Sequence, residues 1–189
     1  MTKVLAISGS LRSDSFNAKL LRCAVDLLGN GVEVEILQGL KDVPPYDEDD
    51  DRDGAPESVR ALRAAFAGAD AFFIATPEYN SSIPGHLKNA LDWVSRPLAT
   101  NPLRNKPAVV VGASTGAFGA VWAQAELRKV LGAIGARVVD AELAVGHAPT
   151  RFDEDGTLMD EDLYEQLGEV VDALVTSVAE RQELARTAA

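Results

Sequence analysis

The chain has 189 residues, 47% of them hydrophobic and 25% charged, with a formal net charge of -11. Its length suits one soluble domain that buries roughly 70% of its unfolded surface. The acidic balance argues against nucleic acid and anionic membrane as main partners, since both need a basic face.

In chain order, strand and helix patterns alternate. The N-terminal MTKVLAISGS has too short an apolar stretch for a signal peptide and reads as a first strand, Val4 to Ser8, so cytoplasmic residence is expected. Asn17 to Leu28 is a helix ended by Gly29 or Gly31, and its Cys23, the single cysteine, reads as a small buried hydrophobe. Val32 to Leu37 alternates as a strand. Pro56 to Ala67 is a helix stopped at Gly68, before the apolar strand Ala71 to Ala75. A helix over Gly85 to Ser95 follows, then a valine-rich strand, Ala108 to Ala113. Val121 to Ile134 is a helix ending at Gly135, Arg137 to Leu143 a last strand, and Glu161 to Arg186 a long terminal helix. No apolar run reaches membrane-spanning length.

Near-continuous apolar strands separated by helices predict an α/β fold with a parallel sheet covered on both faces. About five strands in a doubly wound order are expected, with right-handed crossovers. Neither an internal repeat nor a domain boundary is visible, so a single domain over residues 1–189 is expected.

Three loops at strand carboxyl ends carry the chemistry. In the first, GSLRSDSFNAKL from Gly9 to Leu20, Gly9 permits a tight turn. Ser10, Ser13, Ser15 and Asn17 supply short hydrogen-bonding side chains there, and Arg12 a permanent cation. With the free amides of a helix N-terminus, these suit a phosphate monoester. The loop lacks the lysine of a P-loop and the glycines of the G-x-G-x-x-G dinucleotide turn, so a mononucleotide phosphate fits best.

The second loop, PEYNSSIPGHLKNALDW from Pro77 to Trp93, leaves an apolar strand and enters a helix. Its prolines stiffen the turn. Pro84 suits the first helical turn, with Ser81 or Ser82 as a cap. Leu87, Leu91 and Val94 recur on one helical face. The result is a rigid, amide-rich rim where open α/β sheets bind ligands.

Together with the third loop, GASTGAFGAVWAQAELRKVL, these segments resemble the NADPH-dependent FMN reductase family, whose fold is flavodoxin-like. By that resemblance Ser10, Arg12, Ser15 and Asn17 would hold the FMN phosphate, with Phe16 beside it. Pro77, Glu78, Tyr79 and Asn80 would border the isoalloxazine ring, mainly through backbone groups, and Ser114, Thr115 and Gly116 would close the other side. The resemblance implies an oxidoreductase with NADPH or NADH as co-substrate and a quinone, azo, nitro, metal-oxyanion or flavin acceptor. It also implies a homodimer or homotetramer and no catalytic side chain, since the flavin carries the chemistry.

Two other readings compete. Gly112 to Gly116 fits the G-x-S-x-G elbow and precedes Asp140 and His147, the Ser-Asp-His order of a small esterase. An acidic FMN protein could also be a flavodoxin-type electron carrier. The acidic run Asp47 to Gly54 opens like an EF-hand, but Arg60 stands where the distal glutamate belongs, so a solvated loop is expected. His86 and His147 lack cysteine neighbours, and no metal site is expected. Trp93 and Trp122 suit either the core or a subunit interface.

Overall fold

The computed structural model describes residues 1–52 and 54–187, Asn30 by its backbone alone. The strands are β1 (Thr2–Ser8), β2 (Val32–Ile36), β3 (Ala71–Ala75), β4 (Pro107–Ala113) and β5 (Arg137–Val145). The helices are α1 (Phe16–Leu28), α2 (Glu48–Arg52), α3 (Glu57–Gly68), α4 (Gly85–Val94), α5 (Val121–Ala133) and α6 (Glu161–Thr187). The strands form one five-stranded sheet of order β2-β1-β3-β4-β5, every neighbouring pair parallel. This is the flavodoxin-like order expected of a doubly wound sheet.

Period-2 alternation sorts the strand side chains into two layers. Leu5, Ile7, Phe72, Ile74 and Val110 pack with α3, α4 and α5, while Val4, Ala6, Phe73, Val109 and Val111 pack with α1 and α6. Both faces of β3 are therefore dry, which is why its sequence carries no polar residue. Full burial of each large apolar side chain contributes roughly 1.5–3 kcal/mol. Trp93 belongs to this core: it is fully buried, and its indole N–H donates to Pro44 O at 2.8 Å. Cys23 is buried as expected, and burial pushes its thiol pKa up.

The chain leaves β1 toward β2 on one side and leaves β3 toward β4 on the other. The carboxyl ends of β1 and β3 thus flank a crevice at the reversal of strand order, where such sheets bind ligands.

The acidic run departs from expectation. Glu48–Arg52 is a short helix rather than an irregular solvated loop; Asp53 lies outside the described residues. The docking comes from Asp51, whose two oxygens accept from the Arg63 guanidinium at 2.8 and 2.9 Å. Arg63 also donates to the Trp93 carbonyl, so the pair ties the surface helix to the core. The guanidinium holds the Asp51 carboxyl below the usual carboxylate range. A folded-state pKa below the unfolded one gives stability that is present at neutral pH and lost on acidification through that range. Amide hydrogen exchange over residues 47–52 should therefore accelerate as pH falls below about 4, after correction for intrinsic rates. Arg63→Ala should remove that pH dependence.

Candidate functional site

The loop after β1 and the start of α1 form one wall of a cleft of about 160 Å³. Ser15 is the N-cap of α1, with extended backbone and its hydroxyl accepting from Ala18 N at 3.4 Å. Among the described residues, the amides from Ser13 to Asn17 donate to no group. They form a run of orphan donors at the positive end of a helix, the arrangement that binds anions. The Arg12 guanidinium makes no ion pair among the described residues and rests 5.7 Å from the centre of the Phe16 ring, which stacks on Phe152. Orphan amides, two of them on the buried residues Ser15 and Asn17, with a cation and two serine hydroxyls, fit a phosphate monoester.

Asn17 is buried, and its side chain is already committed. Its carboxamide accepts from Ala113 N and donates to Ala113 O, both at 2.9 Å. That pair fastens the first loop to the end of β4. What Asn17 has free for a ligand is its backbone amide.

The second loop forms the opposite wall. Tyr79 and Ser82 exchange both backbone hydrogen bonds, and Asn80 and Ser81 between them take positive φ, 53° and 60°. This is a tight type I′ turn. It overturns the expectation that Ser81 or Ser82 caps α4, whose N-cap is Pro84 with no side-chain bond. The Glu78 carboxylate accepts from the amides of Trp122 and Ala123, capping α5 from a distant loop. His86 reaches back across the crevice, its Nε2 2.9 Å from Gly9 O.

The third loop lies against the end of β5. Ser114 N donates to Val145 O, Ala148 N to Ser114 O, and His147 N to Gly116 O. Gly119 and Gly146 make the close approach possible. A Cβ on Gly119 would stand 2.6 Å from Val145 N, and one on Gly146 would overlap the Ala117 carbonyl. The signal for both was the glycines bracketing Ala117-Phe118 and ending VGH, which sequence reasoning passed over.

The cleft thus brings together Ser10, Arg12, Ser15, Phe16, Asn17, Pro77, Glu78, Tyr79, Ser114 and Thr115, with Ala113 as a further lining residue. Asn80 and Gly116 stand just outside its lining. The model of NADPH-dependent FMN reductases matches residues 2–150. The chain belongs to that family. An NAD(P)H-dependent FMN reductase of Pseudomonas aeruginosa is 41% identical over 173 residues, spanning 91% of this chain and 92% of the relative. A 2-hydroxy-1,4-benzoquinone reductase of a Burkholderia species is 36% identical, covering 95% and 98%. Among solved structures, the flavoenzyme NAD(P)H:(acceptor) oxidoreductase FerB of Paracoccus denitrificans superposes with a TM-score of 0.86 at 36% identity, covering 96% of this chain and 99% of FerB.

The FMN reductase assignment leaves the esterase reading without geometry. The Ser114 hydroxyl accepts from Gly116 N at 3.1 Å, Asp140 is exposed on β5, and no hydrogen bond links Ser114, Asp140 and His147 among the described residues.

Proposed function

We propose that Arg12, Ser10, Ser15 and the amides of residues 13–17 hold the FMN phosphate, while Pro77 to Asn80 and Ser114 to Gly116 frame the ring. The chain is an FMN-dependent NAD(P)H oxidoreductase, and we read residues 1–189 as one FMN-binding domain. The observation that carries the site is the run of amides beside Arg12, without partners among the described residues, in an otherwise acidic protein. When bound, FMN takes hydride from the nicotinamide and passes electrons to an acceptor.

The chain's own residues bind and orient. The first loop neutralises the dianion through charge-assisted hydrogen bonds, and the Asn17 clamp fixes that loop against β4. The Glu78 cap holds the second loop to α5, so both walls keep their separation. We assign no side chain a proton-transfer role. A benzoquinone fits the acceptor role best, since a relative covering nearly the whole chain is named for one.

Phe118 and Trp122 are 64% and 50% exposed, stacked edge to face at 5.1 Å beside the cleft. They suit a contact with a second copy, giving a homodimer or homotetramer. Light scattering at a dimer or tetramer mass supports this, and a monomer contradicts it. No helix among the described residues is long and apolar enough to cross a membrane, and cytoplasmic residence is our reading. Fractionation of the native cells would check it.

The direct test is the visible spectrum of the purified protein, before and after anaerobic NADPH. A yellow protein that bleaches supports the reading and separates it from a flavodoxin-type carrier, which NADPH would not reduce. A colourless protein that ignores added FMN contradicts it. Arg12→Ala should weaken FMN binding about 10–100-fold, the loss of a hydrogen bond to a charged group. Its hydride transfer at saturating FMN should change far less. Equal retention by variant and parent would place the phosphate elsewhere.

A further inference from the structure

Beneath the third loop, the first turn of α5 sends the Gln124 side chain into the core, where the residue is 2% exposed. Its Nε2 donates to Gly119 O at 2.9 Å. Its Oε1 is buried and has no partner among the described residues. An unused buried acceptor costs at least as much as one made hydrogen bond returns, so stability does not explain a glutamine here.

The position of that amide does. The point where Gly112 would carry a Cβ lies 2.9 Å from Gln124 Nε2, 2.9 Å from Thr76 O and 3.0 Å from the Ala120 Cβ. Gly112, which opens the G-x-S-x-G pattern, is thus a glycine because the Gln124 amide and the Thr76 carbonyl occupy that space. Thr76 leads directly into Pro77 and the second loop, and Gly119 closes the third. Gly119 and Ala120 take φ of 56° and 64°, and a left-handed alanine persists only where its surroundings hold it. Glu78 grips the amides of Trp122 and Ala123 from the second loop, while Gln124 grips Gly119 from the same helical turn. The start of α5 is therefore the common fastening point of both segments that frame the ring.

We propose that Gln124 is a positioning residue for the flavin ring: by holding Gly119 O, it sets where Ser114 to Gly116 stand relative to Pro77 to Asn80. Gln124 does not line the cleft and acts only through the loop it holds. This inference rests on the FMN reading and adds a buried residue to the ring's side of the site. The phosphate side is fastened separately, by Asn17 on Ala113.

The test is a titration of flavin-free Gln124→Met, which keeps an unbranched side chain and removes the donor, with FMN and with riboflavin. Both flavins should bind about tenfold more weakly than to the parent, the worth of one hydrogen bond, with the ratio between them kept. Arg12→Ala, on the phosphate side, should weaken FMN alone. The visible circular dichroism of bound flavin should change in Gln124→Met and not in Arg12→Ala, because only the first alters the ring's surroundings. Denaturant unfolding of the flavin-free protein should move little, since the exchange trades one buried unpartnered acceptor, Gln124 Oε1, for another, Gly119 O. Gln124→Leu repeats the measurement should the methionine variant not fold. Parent-like affinity for both flavins, or a loss confined to FMN, overturns the inference while the FMN reading stands. So does an affinity loss matched by an equal loss of stability, which marks a merely structural side chain. A parent that binds neither flavin brings down both.

Discussion

Gly119→Ala should lower stability by about 3–5 kcal/mol, combining a side chain forced to positive φ with overpacking against backbone. Its φ is +56°, and a Cβ would stand 2.6 Å from Val145 N and 2.8 Å from Ala144 Cα. These are backbone atoms of β5, which cannot swing aside as a flexible side chain would. For a chain of this size the loss corresponds to a melting temperature about 10 °C lower. The third loop should also move away from the cleft, so FMN affinity falls together with stability. Thermal unfolding with and without FMN would check both. A variant that melts within a degree or two of the parent would show that the loop has slack the packing does not reveal.

Asn17→Ala should be nearly as damaging, for a different reason. Its carboxamide satisfies both the donor and the acceptor of Ala113, at 2.9 Å each, in a buried position. Removing it leaves two buried backbone groups unpaired, at about 1–3 kcal/mol each. It also frees the phosphate-binding loop from β4, so FMN binding should weaken by more than the stability loss alone explains. Asn17→Asp is no rescue, because a carboxylate can accept from Ala113 N but repels Ala113 O. Denaturant unfolding of the FMN-free protein isolates the stability loss, and a titration isolates the affinity. Normal affinity in Asn17→Ala would mean that the loop holds its shape without the clamp.

These two residues mark where sequence reasoning stops. The sheet was legible because β3 and β4 are buried at every position, so their composition announces them. Helix ends at Leu28 and Ala133 were legible from glycines that follow them. The convergence of the first two loops followed from strand order alone, since both leave strands at the switch point. By contrast, Asn17 meets Ala113 across 96 residues, and Glu78 meets the start of α5 across 44. A short polar side chain beside a presumed phosphate loop gives no hint of a partner so distant. The helix Glu48–Arg52 was missed because EDDDR has no apolar period; its position comes from Asp51 meeting Arg63. Ser81 was misread as a cap because the turn at Asn80-Ser81 uses positive φ without a glycine, which composition does not signal.

The account depends on the first loop recognising a phosphate. Fluorescence titration of the flavin-free protein with FMN and with riboflavin, which lacks only that group, tests it most directly. Contacts from Arg12 and the orphan amides predict that FMN binds at least about 100-fold more tightly, with the gap shrinking in high salt. Equal affinities for the two flavins would contradict the account.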